Sequence, residues 1–300
     1  MHRLALQRLV WSLTVPATLL ATPSVRAADD ELPSPRTSAE SMPSAWELVV
    51  GAWLPRFEGK LTFGSGGTEI EAGDLDLDDL EATPAAELAW RGEWISAAVG
   101  GFSFSTSGNT ELAPGTVLDG TTISTATAAR TTASAWSAGG RVSVALWKPF
   151  ARQTALWNAP KENVAGVGAR GSSIDLAFDA TLSVQYLSIS QRIEPVGAAI
   201  ASFDHDVLGL GLGGGLRFRW NPGEVVPPIH EIGISASAAI GPALFGGGTF
   251  VELQASLDLE LVPGIAARFG YRLLDWTIES GGDRSVAGLQ GLFLGGRIRF

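Results

Sequence analysis

The sequence predicts an all-β protein, a closed antiparallel transmembrane β-barrel of about ten strands. The chain opens with an export signal, and no run of 18 uninterrupted apolar residues follows it. Ten later segments alternate apolar and polar residues with period two. Such alternation over about 9–11 residues, with turns between, is typical of strands that cross a membrane. Because lipid offers no partners to backbone groups, a spanning sheet must close on itself.

Residues 1–27 are predicted to be a signal peptide. Two arginines precede the apolar run Leu9–Leu20, and Val25-Arg26-Ala27 provides a small-x-small cleavage site. The apolar run is shorter than the roughly 20 residues that a spanning helix needs. Residues 28–44 are polar and contain three prolines, so they are predicted to be a disordered periplasmic linker. The barrel is then predicted to comprise residues 45–300.

The composition excludes several classes of protein. Cysteine is absent, which excludes disulfides, a lipoprotein anchor and a thiol nucleophile. The 31 acidic residues outnumber the 21 basic ones, which argues against a nucleic-acid partner. The 37 glycines and 16 prolines indicate many strands and turns. We therefore expect neither a cofactor nor a metal ion.

Ten segments are predicted to be strands, and the period of each one decides which side chains share a face. The clearest is the eighth, where Val251, Leu253 and Leu257 alternate with Glu252 and Asp258. In chain order the predicted strands are Trp46–Leu54, Ala85–Trp90, Glu93–Ser105, Thr131–Trp147, Ile174–Gln191, Val207–Trp220, Ile229–Gly241, Phe250–Leu261, Ile265–Thr277 and Gly288–Phe300.

Two segments complicate this pattern. In the third strand the apolar positions change parity between Val99 and Phe102, which predicts a β-bulge at Gly100-Gly101 that restores the register. Residues 148–173 contain two prolines and are predicted to be a loop. Since that loop is long, barrels of eight or twelve strands are the alternatives.

The aromatic residues suggest the orientation of the barrel. If the first strand runs outward from the periplasm, aromatic residues lie at both ends of the strands, as the two girdles of membrane barrels require. A soluble β-sandwich, the alternative fold, also has alternating strands but needs no such girdles. The periplasmic group is Trp46, Trp90, Trp94, Trp147, Trp220 and Phe300, and the outer group is Trp53, Phe102, Phe104 and Trp276.

The last predicted strand carries Leu292, Leu294 and the terminal Phe300 on one face, and Arg297 and Arg299 on the other. This ending resembles the closing strand of bacterial outer-membrane β-barrels, in which a C-terminal Phe is read by the assembly machinery. The resemblance implies that Phe300 is an assembly signal.

Other stretches resemble a family of porin-like bacterial outer-membrane barrels, namely Ala52-Trp53-Leu54-Pro55, Glu87-Leu88 with Gly92-Glu93-Trp94, Gly270-Tyr271-Arg272-Leu273-Leu274-Asp275, and the final Gly-Arg-Ile-Arg-Phe. The resemblance covers most of residues 46–300. It implies a location in the outer membrane of a bacterium with two membranes, after cleavage of the signal peptide. It also implies a structural or narrow porin-like role, with outer-membrane lipid and the barrel-assembly machinery as partners.

Charged side chains are predicted to share the lumen. Barrels of about eight strands fill their interior with side chains, and ten strands leave little more room. We expect a packed polar core, because an unpaired charge in a tight space is costly; a narrow charge-selective pore is the alternative. The predicted network is Asp175, Asp179, Arg141, Arg217, Arg219, Glu231, Glu252, Asp258, Glu260, Arg268, Arg272, Arg297 and Arg299.

Asp204-His205-Asp206 is the one acid–histidine cluster, and it is predicted to lie at the outer rim. Carboxylates suit calcium, so it is a candidate weak cation site. With Asp74 and Asp76 the cluster resembles the acidic pairs of omptins, ten-stranded outer-membrane proteases. It departs from their motif, in which Asp and His are two residues apart. We predict that the chain is not an enzyme; a surface enzyme or a cation- or ligand-binding barrel using the acidic outer loops is the alternative.

Residues 209–214 match G-x-G-x-x-G by letter. A dinucleotide site needs that turn to open a helix, whereas here the period of two continues to Trp220. We therefore predict no nucleotide, and interpret the glycines as lumen-facing positions that leave room for bulky neighbours.

Overall fold

The structure is a computed structural model that describes residues 45–151, 173–223, 226, 228–244 and 247–300. The predicted signal peptide and linker, and most of the predicted loop 148–173, lie outside these residues. Among the described residues, no helix has the length and the apolar character that crossing a membrane requires.

Thirteen antiparallel strands make up the described chain. Three of them have only two residues each and lie in the loops, as does a 3-10 turn at Gly73–Leu75. The strands are β1 (Ala45–Thr62), β2 (Ile70–Glu71), β3 (Thr83–Arg91), β4 (Ile95–Leu112), β5 (Val117–Leu118), β6 (Thr121–Thr122), β7 (Thr127–Trp147), β8 (Ser173–Pro195), β9 (Ala201–Asn221), β10 (Glu231–Leu244), β11 (Gly248–Val262), β12 (Ile265–Ser280) and β13 (Asp283–Arg299).

The ten long strands form a closed ring. Each pairs with its neighbours along the chain in the order β1-β3-β4-β7-β8-β9-β10-β11-β12-β13, and β13 pairs back onto β1 from Glu47↔Arg299 to Thr62↔Arg284. At the seam, Trp46 N donates to Phe300 O at 3.0 Å and Phe300 N donates to Trp46 O at 2.9 Å. The prediction of a ten-stranded closed antiparallel barrel is confirmed.

We call the end of the barrel that holds Trp46 and Phe300 the lower end. In the lower half, the outward side chains are apolar, as predicted from the alternation. They are exposed in the isolated chain and form a band around the ring. The band includes Trp46, Val50, Leu88, Ile95, Val99, Val142, Leu182, Val184, Leu210, Leu212, Ile234, Ile240, Leu253, Leu257, Phe269, Leu292, Leu294, Ile298 and Phe300.

In the upper half this relation is reversed. In β1 the outward residues beyond Leu54 are Arg56, Glu58 and Lys60, whereas Phe57 faces inward. The upper interior is an apolar core made of Trp53, Phe57, Leu61, Phe63, Phe102, Phe104, Leu187, Ile189, Ile193, Phe203, Val207, Phe250, Leu274, Trp276, Ile278 and Leu289. All ten long strands extend beyond their predicted upper ends. In β1 the apolar residues of this extension, such as Phe57 and Leu61, occupy the inward face.

The predicted bulge at Gly100-Gly101 is wrong. Pairing runs without a break through both glycines, to β3 on one side and to β7 on the other. Val99 points outward and Phe102 inward as parity requires, so the change of apolar face marks the boundary between the two halves. The ring strands do show register irregularities elsewhere, at Ala145/Trp147 and at Glu260/Val262.

The predicted outer girdle is also wrong. Its four members, Trp53, Phe102, Phe104 and Trp276, are buried inside the barrel. The outward aromatic residues at the upper limit of the apolar band are instead Trp136 and Tyr186, whose ring centroids are 5.4 Å apart, and Tyr271.

Loop 63–82 fills a gap in the upper wall. β3 pairs with β4 only as far as Ala85↔Phe102, so above that point β3 no longer separates β1 from β4. The two-residue strand β2, which belongs to the loop, pairs there with Lys60 and Leu61 of β1. The loop spans this gap, with Glu81 N donating to Pro55 O at 3.1 Å and Asn109 N donating to Asp76 Oδ2 at 3.1 Å. It therefore completes the wall that β3 leaves short.

The same loop inserts apolar side chains into the core. Leu75 and Leu77 are buried, and Thr131 Oγ1 donates to Leu75 O at 2.6 Å. On the outer surface, Lys60 Nζ donates to Glu69 Oε1 at 2.8 Å, which lowers the pKa of the Glu69 carboxyl below its usual range. The loop is thus fixed both by burial and by polar contacts.

Candidate functional site: the barrel interior

The lower interior is built around Arg297. Its side chain is 1% exposed, and its guanidinium lies 2.8 Å from Glu260, 3.3 Å from Asp258, 3.5 Å from Glu231 and 3.7 Å from Glu47. A buried guanidinium is tolerated only when carboxylates compensate it, and here four do.

Glu47 is surrounded by a second set of arginine side chains. Its carboxylate lies 2.6 Å from Arg91, 3.3 Å from Arg219 and 3.4 Å from Arg299, in addition to Arg297. Glu47 is 1% exposed. The four arginines come from β3, β9 and β13, so this one carboxylate ties together strands from different parts of the ring.

Two forked pairs stabilise the wall above this cluster. Arg268 donates from Nε and Nη2 to Asp258 at 2.7 and 2.8 Å. Arg217 donates from Nε and Nη2 to Asp179 at 2.6 and 2.9 Å. Both pairs join neighbouring strands, and the planar guanidinium suits this two-bond geometry.

Arg141 reaches across the lumen. From β7 it donates to Glu87 Oε2 on β3 at 2.7 Å and to Gln254 Oε1 on β11. In the ring β7 and β11 are four strands apart, which places them on nearly opposite walls of a ten-stranded barrel. We call Arg141, Glu87 and Gln254 the crossbar.

All thirteen charged residues predicted for the lumen form ion pairs there, with Arg272 bound to Glu252 at 3.0 Å and Asp175 to Lys148 at 3.5 Å. Three further members of the network were not predicted from the sequence, namely Glu47, Glu87 and Arg91. Each of these residues has the inward parity of its strand, so the alternation rule that identified the other members also applies to them.

Two cavities lie on either side of the crossbar. The upper one measures about 70 Å³ and lies beneath the apolar core, where Trp53 and Phe293 form its apolar side. The lower one measures about 60 Å³. Glu87, Arg141 and Gln254 line both cavities. Small side chains and glycines form much of the remaining wall, which explains why the lumen is hollow at this level.

The apolar core closes the upper interior. Trp53 and Phe102 meet edge to face with ring centroids 4.9 Å apart, and Trp53 Nε1 donates to Gly291 O at 3.2 Å. Trp276 Nε1 donates to Ser285 Oγ at 3.2 Å. Both indole N–H groups are thus satisfied, as buried tryptophans require. Arg272 lies against this core, with its guanidinium carbon 5.6 Å from the Trp53 ring centroid and 5.4 Å from that of Phe102.

The acid–histidine cluster is divided between the two faces of β9. His205 faces inward, where its ring centroid is 4.3 Å from that of Phe203, whereas Asp204 and Asp206 face outward. The structure does not bring the three side chains together. They also lie within a strand rather than in a loop.

Asp74 and Asp76 lie in loop 63–82. Thr110 Oγ1 donates to Asp74 O at 2.6 Å, and Asp76 accepts from Asn109 N as described above, so both residues bind the loop to β4. Within the described residues, no group of three or more His, Cys, Asp or Glu side chains has the geometry to hold a metal ion.

The G-x-G-x-x-G stretch lies inside β9, with Gly209, Gly211 and Gly213 facing inward. A Cβ atom on Gly209 would lie 2.8 Å from the ring of Phe250. This position has no room for a side chain, because the Phe250 ring of the core occupies that space. The stretch is a continuous strand and does not open a helix.

No family model matches this chain. No curated protein matches it. Among solved structures, it is similar to a TodX deltaS2S3 mutant monoaromatic hydrocarbon channel, with 10% sequence identity, coverage of 89% of this chain and 93% of that chain, and a TM-score of 0.23. At this TM-score the likeness carries no argument. The assignment as a barrel rests on the closed ring of hydrogen-bonded strands.

Proposed function

We propose that this protein is a bacterial outer-membrane β-barrel with a closed interior, and that its role is structural rather than that of an open passive pore. The observation that carries the proposal is the reversal of faces between the two halves. Below the boundary the outer surface is apolar and the interior charged. Above it apolar and aromatic side chains fill most of the interior of the described strands, which supports a lumen without a continuous polar path.

The membrane location is supported by the height of the outward apolar band. In β1 the outward side chains from Trp46 to Leu54 are all apolar, and Arg56 follows. These nine residues match the roughly 9–11 that a tilted strand needs to cross a bilayer. The predicted export signal, and the resemblance of the last strand to the closing strand of outer-membrane barrels, support the same location, with outer-membrane lipid and the barrel-assembly machinery as partners.

The closed interior is supported from both sides. Beneath the core, Arg297 and Glu47 are each 1% exposed, so the centre of the ionic cluster is shielded from solvent. Above, the aromatic side chains fill the space that a pore would need. A narrow porin-like passage is the second candidate, because the two cavities leave the middle of the lumen hollow.

A catalytic role finds less support, and we include in the proposal that the chain is not an enzyme. The one acid–histidine cluster is divided between opposite faces of β9, so His205 has neither acid beside it to orient its ring. Asp74 and Asp76, which the omptin resemblance would pair with the cluster, lie in a different part of the wall and bind β4.

Single-channel recording in a planar bilayer tests the proposal. The full mature chain is folded into lipid vesicles, and insertion is verified by flotation and by the shifted gel mobility of unheated samples. Fusion of these vesicles should give no discrete current steps. Reproducible steps from samples with verified insertion would favour the narrow pore and refute the closed interior.

A further inference from the structure

The upper cavity lies where an apolar surface meets Arg272, an arginine whose Nε has no hydrogen-bond partner among the described residues. It is lined by Trp53 and Phe293 and by the polar side chains of Arg272, Glu252 and the crossbar residue Arg141. The cavity has room for roughly five water molecules, whose share of liquid volume is about 150 Å³. A small ring with one charged substituent has a comparable volume.

Arg272 is the weakly paired cation of this cavity. Its guanidinium carbon lies 5.6 Å from the Trp53 ring centroid and 5.4 Å from that of Phe102. Nη2 donates to Glu252, but the buried Nε has no hydrogen-bond partner among the described residues. By contrast, Arg268 and Arg141 each donate two hydrogen bonds to acceptors in the protein. Arg272 therefore retains a donor for a further acceptor.

Within the described residues, the ion pairs of the lower interior join nine basic side chains to eight acidic ones. The excess of one positive charge persists if the rim pair Lys148–Asp175 is set aside. The basic residues are Arg91, Arg141, Lys148, Arg217, Arg219, Arg268, Arg272, Arg297 and Arg299, and the acidic ones are Glu47, Glu87, Asp175, Asp179, Glu231, Glu252, Asp258 and Glu260. A single negative charge would balance them, and burying it beside Arg272 would compensate that cation.

We propose that the upper cavity is a binding site for a small monocarboxylate with a flat apolar body. The carboxylate accepts hydrogen bonds from Arg272, and the body packs against Trp53 and Phe293. Since Glu87, Arg141 and Gln254 line both cavities, rotation of Arg141 away from Gln254 joins the two. The apolar core above prevents passage through the barrel, so the site binds its ligand without conducting it.

Calorimetric titration of the folded protein in detergent micelles tests the site, with benzoate as the probe and benzamide as its neutral isostere. Benzoate should bind, and benzamide should bind at least tenfold more weakly because it lacks the charge-assisted hydrogen bond. When chloride is replaced with sulfate at constant ionic strength, the dissociation constant of benzoate should change by no more than two- or threefold. Failure of benzoate to bind, or equal binding of benzamide, would overturn the proposal.

Two variants locate the ligand. Arg272→Gln should weaken benzoate binding by about tenfold or more, and Arg284→Gln, which changes an exposed arginine of the upper rim, should not alter it. Glu252→Gln should strengthen binding, because Arg272 then lacks its carboxylate partner. This variant has the opposite expected sign, so it tests the site even if Arg272→Gln folds poorly. An unchanged or weakened affinity in Glu252→Gln, or an unchanged affinity in Arg272→Gln, would contradict the assignment to Arg272.

Discussion

The ionic cluster in the lower interior makes a quantitative prediction about stability. Arg297 lies within 3.7 Å of four carboxylates and is 1% exposed. Replacing it with Met keeps the apolar stem and removes the cation, so Glu47, Glu231, Asp258 and Glu260 face one another with less compensation. Breaking a buried pair in this way costs about 3–5 kcal/mol of unfolding free energy. We expect a loss in that range for Arg297→Met.

Arg284→Met is the matched control, since it makes the same replacement in the same strand. Arg284 is 49% exposed and pairs with Glu279 at 2.9 Å and with Glu69 at 3.8 Å. Exposed pairs of this kind contribute about 0–1 kcal/mol, and solvent screens them. We therefore expect Arg284→Met to change the unfolding free energy by less than about 1 kcal/mol.

The assay is equilibrium unfolding in urea of protein folded into lipid vesicles, followed by tryptophan fluorescence. Added salt should weaken the exposed Arg284 pairs and leave the buried cluster nearly unaffected. If the two variants lose the same stability, or if Arg297→Met is as stable as the parent, then the cluster is not the packed ionic core described above.

Three further outcomes follow from the assignment of faces. Leu257→Arg places a charge on the outward apolar band and should cost roughly 2–4 kcal/mol of folding free energy. Ser256→Arg enters the lumen beside acidic residues, so its loss of folding free energy should be smaller. The folding yield in vesicles measures both effects, and equal yields would contradict the assignment. Trp53→Ala truncates a core side chain and should cost about 3–5 kcal/mol of unfolding free energy. Trp136→Ala changes an outward residue and should cost clearly less. Urea unfolding measures both losses, and a reversed order would refute the upper core. Deletion of Phe300 should leave export intact and lower the amount of folded barrel in outer-membrane fractions, and unchanged amounts would argue against its role in assembly.

The fold could be predicted from the sequence because the closed ring depends on a local signal. In β11, Val251 and Leu253 alternate with Glu252 and Gln254, and in β13 the same alternation ends on Phe300. Such alternation decides the two faces of each strand without knowledge of its neighbours. The ten strands and most of the inward charged residues could be predicted on this basis.

The upper half was not predicted, although a signal for it exists in the sequence. Val99 and Phe102 have opposite parity, and so do Tyr186 and Leu187 in β8. In a membrane strand such a change suggests a bulge. When it recurs at one level in several strands, it indicates that the outer environment changes from lipid to water. Recurrence at one level therefore distinguishes a change of the outer environment from a bulge in a single strand.

The individual ion pairs could not be predicted, because they depend on the shear of the barrel. Parity places Arg141 and Gln254 inward, but only the three-dimensional register brings them together across the lumen from strands four apart in the ring. Loop 63–82 escaped prediction for a similar reason. Leu75 and Leu77 lie in an acidic run that resembles a solvated loop, and the space left by the short β3 decides their burial.

Single-cysteine labelling along β8 tests most directly the claim that the sheet changes its apolar face at the boundary. The chain has no native cysteine, so each substitution can be labelled alone with a water-soluble maleimide present on both sides of the vesicles. Cysteines at the outward positions of Ser190 and Arg192 should react. Those at Leu182 and Val184, in the apolar band, and at the inward Gln191 should be protected. Reaction at Leu182 and Val184 as fast as at Arg192, or at Gln191 as fast as at its two neighbours, would contradict the account.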